Sequence, residues 1–407
     1  MKPENSISKS KNVLLINSDS EALPPEVQTL MADFCGVVVR SLAEIQDELR
    51  STKLYFCGDA SGLRDLDMPV SIIQEFSSGF EGSANEHHRL ISLGKVPVVV
   101  QGAGVYFREF FNGKDHFHKI KAEHQFQNLT DSNKPGTAFR KGIYLSEVLR
   151  EENPEQGEGY RFHLLRCSSN LSGPTDNFRT TDREIVQAIN AAAREVFELE
   201  TALNHVLAQV YENKALTETQ GKEKKAKIKA HSDKTKDMAP EGLMAFCTFY
   251  DPTQFNHLKP SSTDRFDWVR NGISGLTRLH FRLKEAATDP TLPREFSVTL
   301  YPNSVFFVPL STNRLYTHEI RPSILSVEQI PTRLGYVVRC SNKEALHSGG
   351  QTYVNEYGEL IPLVPMTHEG MVDLKTKYRE ENTSVERIVY GPVDFSMNEG
   401  DYERPIW

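Results

Sequence analysis

His231, Ser232 and Asp233 bring an imidazole and a carboxylate to alternate positions of one short segment. On a β-strand, positions i and i+2 project from the same face, so these two side chains converge on one point. They would supply two of the three ligands of a facial triad holding Fe(II), with the opposite face open for a cosubstrate and O2. Alone the pattern is weak. With 13 histidines in the chain, an H-x-D triplet arises by chance on the order of half a time per chain.

A third ligand should come from a later strand, and LYTHEIRP (315–322) supplies His318. It follows the apolar run NSVFFVPL and the polar turn STNR, where a new strand begins. Beyond it, RLGYVVR (333–339) carries two arginines six positions apart. In a strand Arg333 and Arg339 project to one face, with Gly335 and Val337 between them. A buried arginine requires an anion, and a dicarboxylate cosubstrate would supply one bidentately. His280, in TRLHFRLK, is the competing third ligand by distance from Asp233. It sits mid-strand among apolar residues and lacks a double-arginine strand at suitable spacing downstream. His87 and His88 read as a solvated pair, His116 and His118 as surface residues, and Cys247 as core.

The elements that must position these residues are legible in outline. The first ninety or so residues alternate in a βα rhythm, with strands at 12–17, 36–40 and 53–59 and helices near 25–34 and 42–49, which predicts a small α/β unit. No phosphate-binding glycine fingerprint accompanies it, and the GAG at 102–104 reads as a turn. KVPVVVQGAGVYF (95–107) predicts a strand, and 129–142 and 150–160 predict surface loops. A capping box of Thr181 and Glu184 opens a helix whose Ile185, Ile189, Ala192 and Val196 recur at helical spacing. LNHVLAQVY (203–211) predicts an alternating strand, and from AHSD (230–233) to about Arg339 short β-like runs dominate, which points to a sandwich or barrel. The last sixty or so residues are polar and read as an extension packed on that core.

Composition sets the outer limits. The 407 residues are 38 % hydrophobic and 25 % charged, with a net charge of −8, which excludes a uniformly basic nucleic-acid coat. No apolar run is long enough to span a membrane, and the first dozen residues lack the apolar core of a secretory signal. Five scattered cysteines with no CxxC pair argue against a disulfide framework and for a reducing compartment, cytoplasmic or nuclear.

The stretch from about Val196 to Arg339 resembles the AlkB-type Fe(II)/2-oxoglutarate dioxygenases. LNHVLAQVY (203–211) is similar to the family's F-N-x-x-L-x-N-x-Y strand, His231-Ser-Asp233 to its H-x-D motif, 302–322 to the segment carrying the distal histidine, and RLGYVVR to its R-x-[NS]-x-T-x-R strand. The resemblance implies an α+β protein with a double-stranded β-helix (jelly-roll) core and flanking helices at 95–345. The α/β unit would then occupy 1–94 and the extension 346–407. It implies His231, Asp233 and His318 as iron ligands, and Arg333, Arg339, Tyr211 and Gln209 as contacts to 2-oxoglutarate, with O2 as oxidant and ascorbate as reductant. Gln209 and Gly335 depart from the family pattern, which has Asn at the first position and Asn or Ser at the second.

The resemblance also implies a modified nucleobase as substrate, with a small molecule or protein side chain as the alternative. A non-catalytic binding module of the same fold is the competing reading from another class. The family's repair enzymes often place an acid soon after H-x-D; here Thr235 stands in that place and Asp237 is the next acid. A lysine run, Lys222, Lys224, Lys225, Lys227 and Lys229, leads into His231. Together with Lys134, Arg140 and Lys141 it offers a basic rim for a DNA or RNA backbone.

Overall fold

The computed structural model describes residues 5–17, 23–44, 53–63, 68–80, 87–111, 113–130, 137–153, 157–167, 171–213, 223–356 and 358–407. Strands dominate, with five α-helices among the described residues: α1 (Pro25–Asp33), α2 (His116–Glu123), α3 (Thr180–Val196), α4 (Leu310–Leu315) and α5 (His368–Thr383). None is long and apolar enough to cross a membrane.

Two sheets form the centre. The larger has nine strands, and its middle four run His205–Tyr211, Arg333–Arg339, Leu243–Tyr250, Ser304–Pro309, all antiparallel. The smaller runs Ile228–His231, Tyr316–Arg321, Arg278–Leu283, Glu295–Thr299, again antiparallel. Strict alternation sorts the larger sheet's side chains. Leu334, Tyr336 and Val338 join Ala245, Cys247, Phe249 and the Ile185, Ile189 and Val196 face of α3 in one core. Met244, Phe246, Phe306 and Val308 point the other way and meet Leu279, Phe281, Tyr316 and Ile320 of the smaller sheet. The interior between the sheets is therefore apolar except where the sequence puts polar residues on the inward register, and these define the site.

An all-parallel sheet, Val37–Val39, Asn12–Asn17, Lys53–Asp59, Val70–Ser78, His88–Ile91, forms the N-terminal unit. One of its faces, through Leu14, Ile16, Tyr55 and Ile73, is continuous with the central core. The run 95–107 is not one strand but a hairpin, Val98–Val100 against Gly104–Phe107. Gln101 and Gly102, at φ 51° and 66°, are successive left-handed residues that reverse the chain. Of the predicted loops at 129–142 and 150–160, residues 131–136 and 154–156 lie outside the described residues, and the rest are strands. Thr137–Ser146 pairs along His205–Tyr211, and Leu149–Asn153 and Gly157–Leu164 pair with each other. The polar tail continues that second ladder through Lys343–Ser348, Gln351–Glu356 and Glu359–Pro362 before α5. Polar faces concealed these strands, since one side of each ladder meets solvent.

Helix α3 is capped at Arg179, two residues before the predicted cap Thr181, and Thr181 instead donates to Glu123 Oε1 at 2.9 Å. Asp182 makes the cap, accepting from the Arg179 N–H at 2.7 Å. The reason is a buried polar knot behind the larger sheet. The His124 ring lies 2.8 Å from Asp176 Oδ2 and 2.7 Å from Asp182 Oδ2, one contact at each nitrogen, and Tyr336 Oη donates to Asp182 Oδ1 at 2.8 Å. Burial opposes charging His124, but the hydrogen bonds and charges of the two aspartates outweigh it and raise its pKa to about 9. A raised folded-state value stabilises the fold fully below the unfolded value near 6.5. That contribution, roughly 3 kcal/mol at most, disappears as pH rises through about 9. Chemical denaturation from pH 6 to 10 should show this loss in the wild type and a flatter profile in His124→Gln; equal slopes would remove the knot from the account.

Candidate metal centre

His231 ends the strand Ile228–His231 and lies in register with His318 on Tyr316–Arg321. The imidazole centroids are 4.5 Å apart. Asp233 lies two residues past His231, and its Oδ1 is 3.4 Å from His231 Nε2 and 3.9 Å from His318 Nε2. The three donor atoms lie within 4.8 Å of one another. Two imidazoles and one carboxylate, converging from a strand pair and the loop after it, are a 2-His-1-carboxylate donor set.

Each ligand is held by a second contact. His231 Nδ1 donates to the Lys229 carbonyl at 2.8 Å, which turns Nε2 toward Asp233. His318 is 5 % exposed and packed edge-on to Phe246. Burial, with the neighbouring His231 adding to it, lowers its pKa to about 3, so the ring is neutral. Burial disfavours ionised Asp233, yet Arg339 and the two histidines outweigh it and hold the carboxyl well below the usual carboxylate range. Arg339 Nε donates to Asp233 Oδ2 at 2.9 Å, and Nη2 lies 2.8 Å from the same oxygen. One carboxylate oxygen is thus committed to the arginine, and the other is turned to the histidines.

The backbone around Asp233 is clamped as well. Its N–H donates to Asn313 Oδ1, and Asn313 Nδ2 donates back to its carbonyl, both at 2.9 Å. From α5, Asn382 Oδ1 accepts the Ser232 N–H at 2.8 Å and Lys234 Nζ at 3.0 Å. Glu381 accepts the Thr235 N–H and hydroxyl. Lys284, 5 % exposed, anchors the end of α5 by donating to the carbonyls of Glu381 and Ser384. None of Asn313, Glu381, Asn382 or Lys284 was singled out in the sequence. Asn313, a polar residue between an apolar strand and the distal histidine, carried the only signal.

Arg333 and Tyr211 face each other in register across the larger sheet. The guanidinium carbon lies 3.7 Å from the Tyr211 ring centroid. Arg333 is 4 % exposed, and its Nε and Nη2 have no hydrogen-bond partner among the described residues. Tyr211 Oη donates to Gln209 Oε1 at 3.1 Å. A Cβ built on Gly335 would lie 2.8 Å from Arg333 Nη1 and 3.2 Å from the Tyr211 ring, so glycine leaves the stacked arginine its space.

Other sequence candidates fall elsewhere. Arg339, grouped with the cosubstrate contacts, lies on Asp233. Asp237 is 2 % exposed and paired with Arg166 and Lys236, so it offers no oxygen to a base. Thr235 is taken up by Glu381. Lys225 donates to the Ser323 carbonyl, Lys224 lies over the Phe139 ring, and Lys141 pairs with Glu212. Lys227 and Lys229 are exposed and Arg140 is half-buried; Lys222 and Lys134 lie outside the described residues. His280 is 2.8 Å from Ser297 Oγ, away from the triad. His116, expected at the surface, is 2 % exposed at the start of α2, and Cys247 is core as expected.

A second group, Glu123, His124 and Asp182, also clusters within 4.8 Å. Both nitrogens of its histidine already face carboxylates, so it has no lone pair to offer a metal. The first group therefore stands as the candidate centre.

No protein-family model matches the chain, and no curated protein does. Among solved structures, that of the selenomethionine-labelled Fe(II)/(alpha)ketoglutarate-dependent dioxygenase TqaL is similar over 52 % of this chain and 69 % of that one, at 9 % identity and a TM-score of 0.21.

Loss of a contact that orients a metal ligand typically weakens metal binding by tenfold or more. Asn382→Ala should therefore weaken Co(II) binding about tenfold while shifting the unfolding temperature only slightly. Unchanged metal affinity would mean that α5 does not position the H-x-D turn.

Proposed function

We propose that the protein is an Fe(II)/2-oxoglutarate-dependent oxygenase with a double-stranded β-helix core, hydroxylating a substrate C–H bond. One observation carries the reading. A 2-His-1-carboxylate triad shares the interior with a buried guanidinium, on the same strand as the arginine that holds the triad's aspartate, and two of that guanidinium's nitrogens have no hydrogen-bond partner among the described residues. The order of the central strands in both sheets supports the fold part of the proposal. The donor set suits iron, which when bound supplies O2 activation coupled to decarboxylation of 2-oxoglutarate to succinate.

The chain's own residues do the rest. Arg333 binds the distal carboxylate with its free N–H groups, a charge-assisted contact worth roughly 1.5–3 kcal/mol. Tyr211 keeps the guanidinium planar against its ring, and Gln209 fixes the tyrosine hydroxyl. Arg339 holds Asp233 ionised and turned toward the histidines. Phe246 and Phe281 pack against His318 and keep water from that side.

The finer reading, an AlkB-like enzyme acting on a modified nucleobase, draws its support from the sequence motifs and from exposed Lys227 and Lys229 beside His231. A small molecule or protein side chain is the alternative substrate. Salt-sensitive binding of single-stranded DNA or RNA that falls in a Lys227→Gln, Lys229→Gln variant supports the nucleic-acid substrate; its absence in the wild type removes it.

Enzyme turnover tests the proposal itself. Succinate formation from 2-oxoglutarate should require Fe(II) and vanish in His231→Ala. Arg333→Ala should raise the KM for 2-oxoglutarate by about one to two decades, and more than Arg333→Lys does. Gly335→Ala should raise it about tenfold, because the added methyl displaces the end of Arg333 and presses on the Tyr211 ring that stacks on it. Absence of Fe(II)-dependent 2-oxoglutarate consumption in the wild type would refute the assignment.

A further inference from the structure

Where the N-terminal sheet meets the core there is a cavity of about 400 Å3 that shares no lining residue with the triad or the Arg333 site. Two of its lining side chains are deeply buried yet incompletely bonded. Tyr55 is 0 % exposed and its Oη has no hydrogen-bond partner; His116 is 2 % exposed and its Nδ1 has none, among the described residues. Both atoms are closed off from solvent, so they sit behind the cavity wall, and the groups open to a ligand are the aromatic and charged ones. Phe107, Phe110 and Phe111 supply an aromatic wall.

The charges around the cavity have one sign in excess. Lys53 pairs with Glu195 at 2.9 Å and Lys114 with Glu184 at 2.7 Å. Arg89 and Lys95 also line the cavity and have no carboxylate partner among the described residues. Two uncompensated cations in a chain of net charge −8 are a local anion site. The volume lies at the small end of the range for ligand cavities, which suits a one-ring molecule.

We propose that this junction cavity binds a small organic anion carrying a flat ring, with its carboxylate or phosphate on Arg89 and Lys95 and its ring against Phe110 and Phe111. Such a ligand is held by both the N-terminal unit and the core, and so ties the two together.

Phenyl phosphate and benzoate are the probes, titrated calorimetrically into the full-length chain, with inorganic phosphate and phenol as controls. At least one probe should bind saturably and more tightly than either control, and the better probe tells phosphate from carboxylate. Arg89→Gln combined with Lys95→Gln, both outside the buried core, should weaken that binding at least tenfold, whereas His231→Ala should leave it unchanged. The proposal is overturned if neither probe binds at millimolar concentration, if the double variant binds like the wild type, or if a control binds as tightly as the probes.

Discussion

The ion pair between Arg339 and Asp233 joins the two central sheets at the point where chemistry would occur. Arg339 comes from the larger sheet, whereas Asp233 follows the edge strand of the smaller one. Both N–H contacts fall on Oδ2, leaving Oδ1 to face two imidazoles. A buried pair of this kind adds little net stability, because desolvation offsets most of the attraction, but removing one partner costs several kcal/mol. Its value here is geometric. Without Arg339 the carboxylate would be free to rotate or to take up a proton, and the donor set would lose its third member.

That pair needs support from chain segments far apart in sequence. Asn313 grips the Asp233 peptide from just before the distal histidine, and Asn382 and Glu381 hold Ser232 and Thr235 from α5. Lys284 in turn fixes the end of α5. The C-terminal segment is thus part of the site's scaffold. Asp237, four residues past Asp233, anchors the other end of this turn through Arg166, whose guanidinium also donates to the Val393 carbonyl.

The triad was legible because local rules suffice for it. H-x-D spacing works wherever a strand ends, and an antiparallel neighbour brings His318 opposite His231. The face shared by Arg333, Gly335, Val337 and Arg339 follows from two-residue periodicity. Roles on that face were harder to read, since periodicity says which side a side chain takes and not what it meets. Arg339 was therefore grouped with Arg333, although Asp233 lies within its reach. Gly335, an unexplained departure from the family motif, makes sense once the Arg333–Tyr211 stack is seen. Asn382 and Glu381 had no motif at all, because their contacts join residues about 150 positions apart. The described strands within 129–142 and 150–160 read as loops, and those of the polar tail read only as an extension, because residues facing solvent dilute the apolar signal a strand would give.

The central claim is that one interior holds a metal on His231, Asp233 and His318 together with a dicarboxylate on Arg333. Anaerobic titration of the protein with Fe(II) and then 2-oxoglutarate, followed by absorption spectroscopy, tests it most directly. The account predicts a charge-transfer band that needs both components, is absent in Asp233→Ala, and requires far more 2-oxoglutarate to saturate in Arg333→Ala. A wild-type protein that binds Fe(II) but develops no such band, or a band that both variants retain at wild-type concentrations, would contradict it.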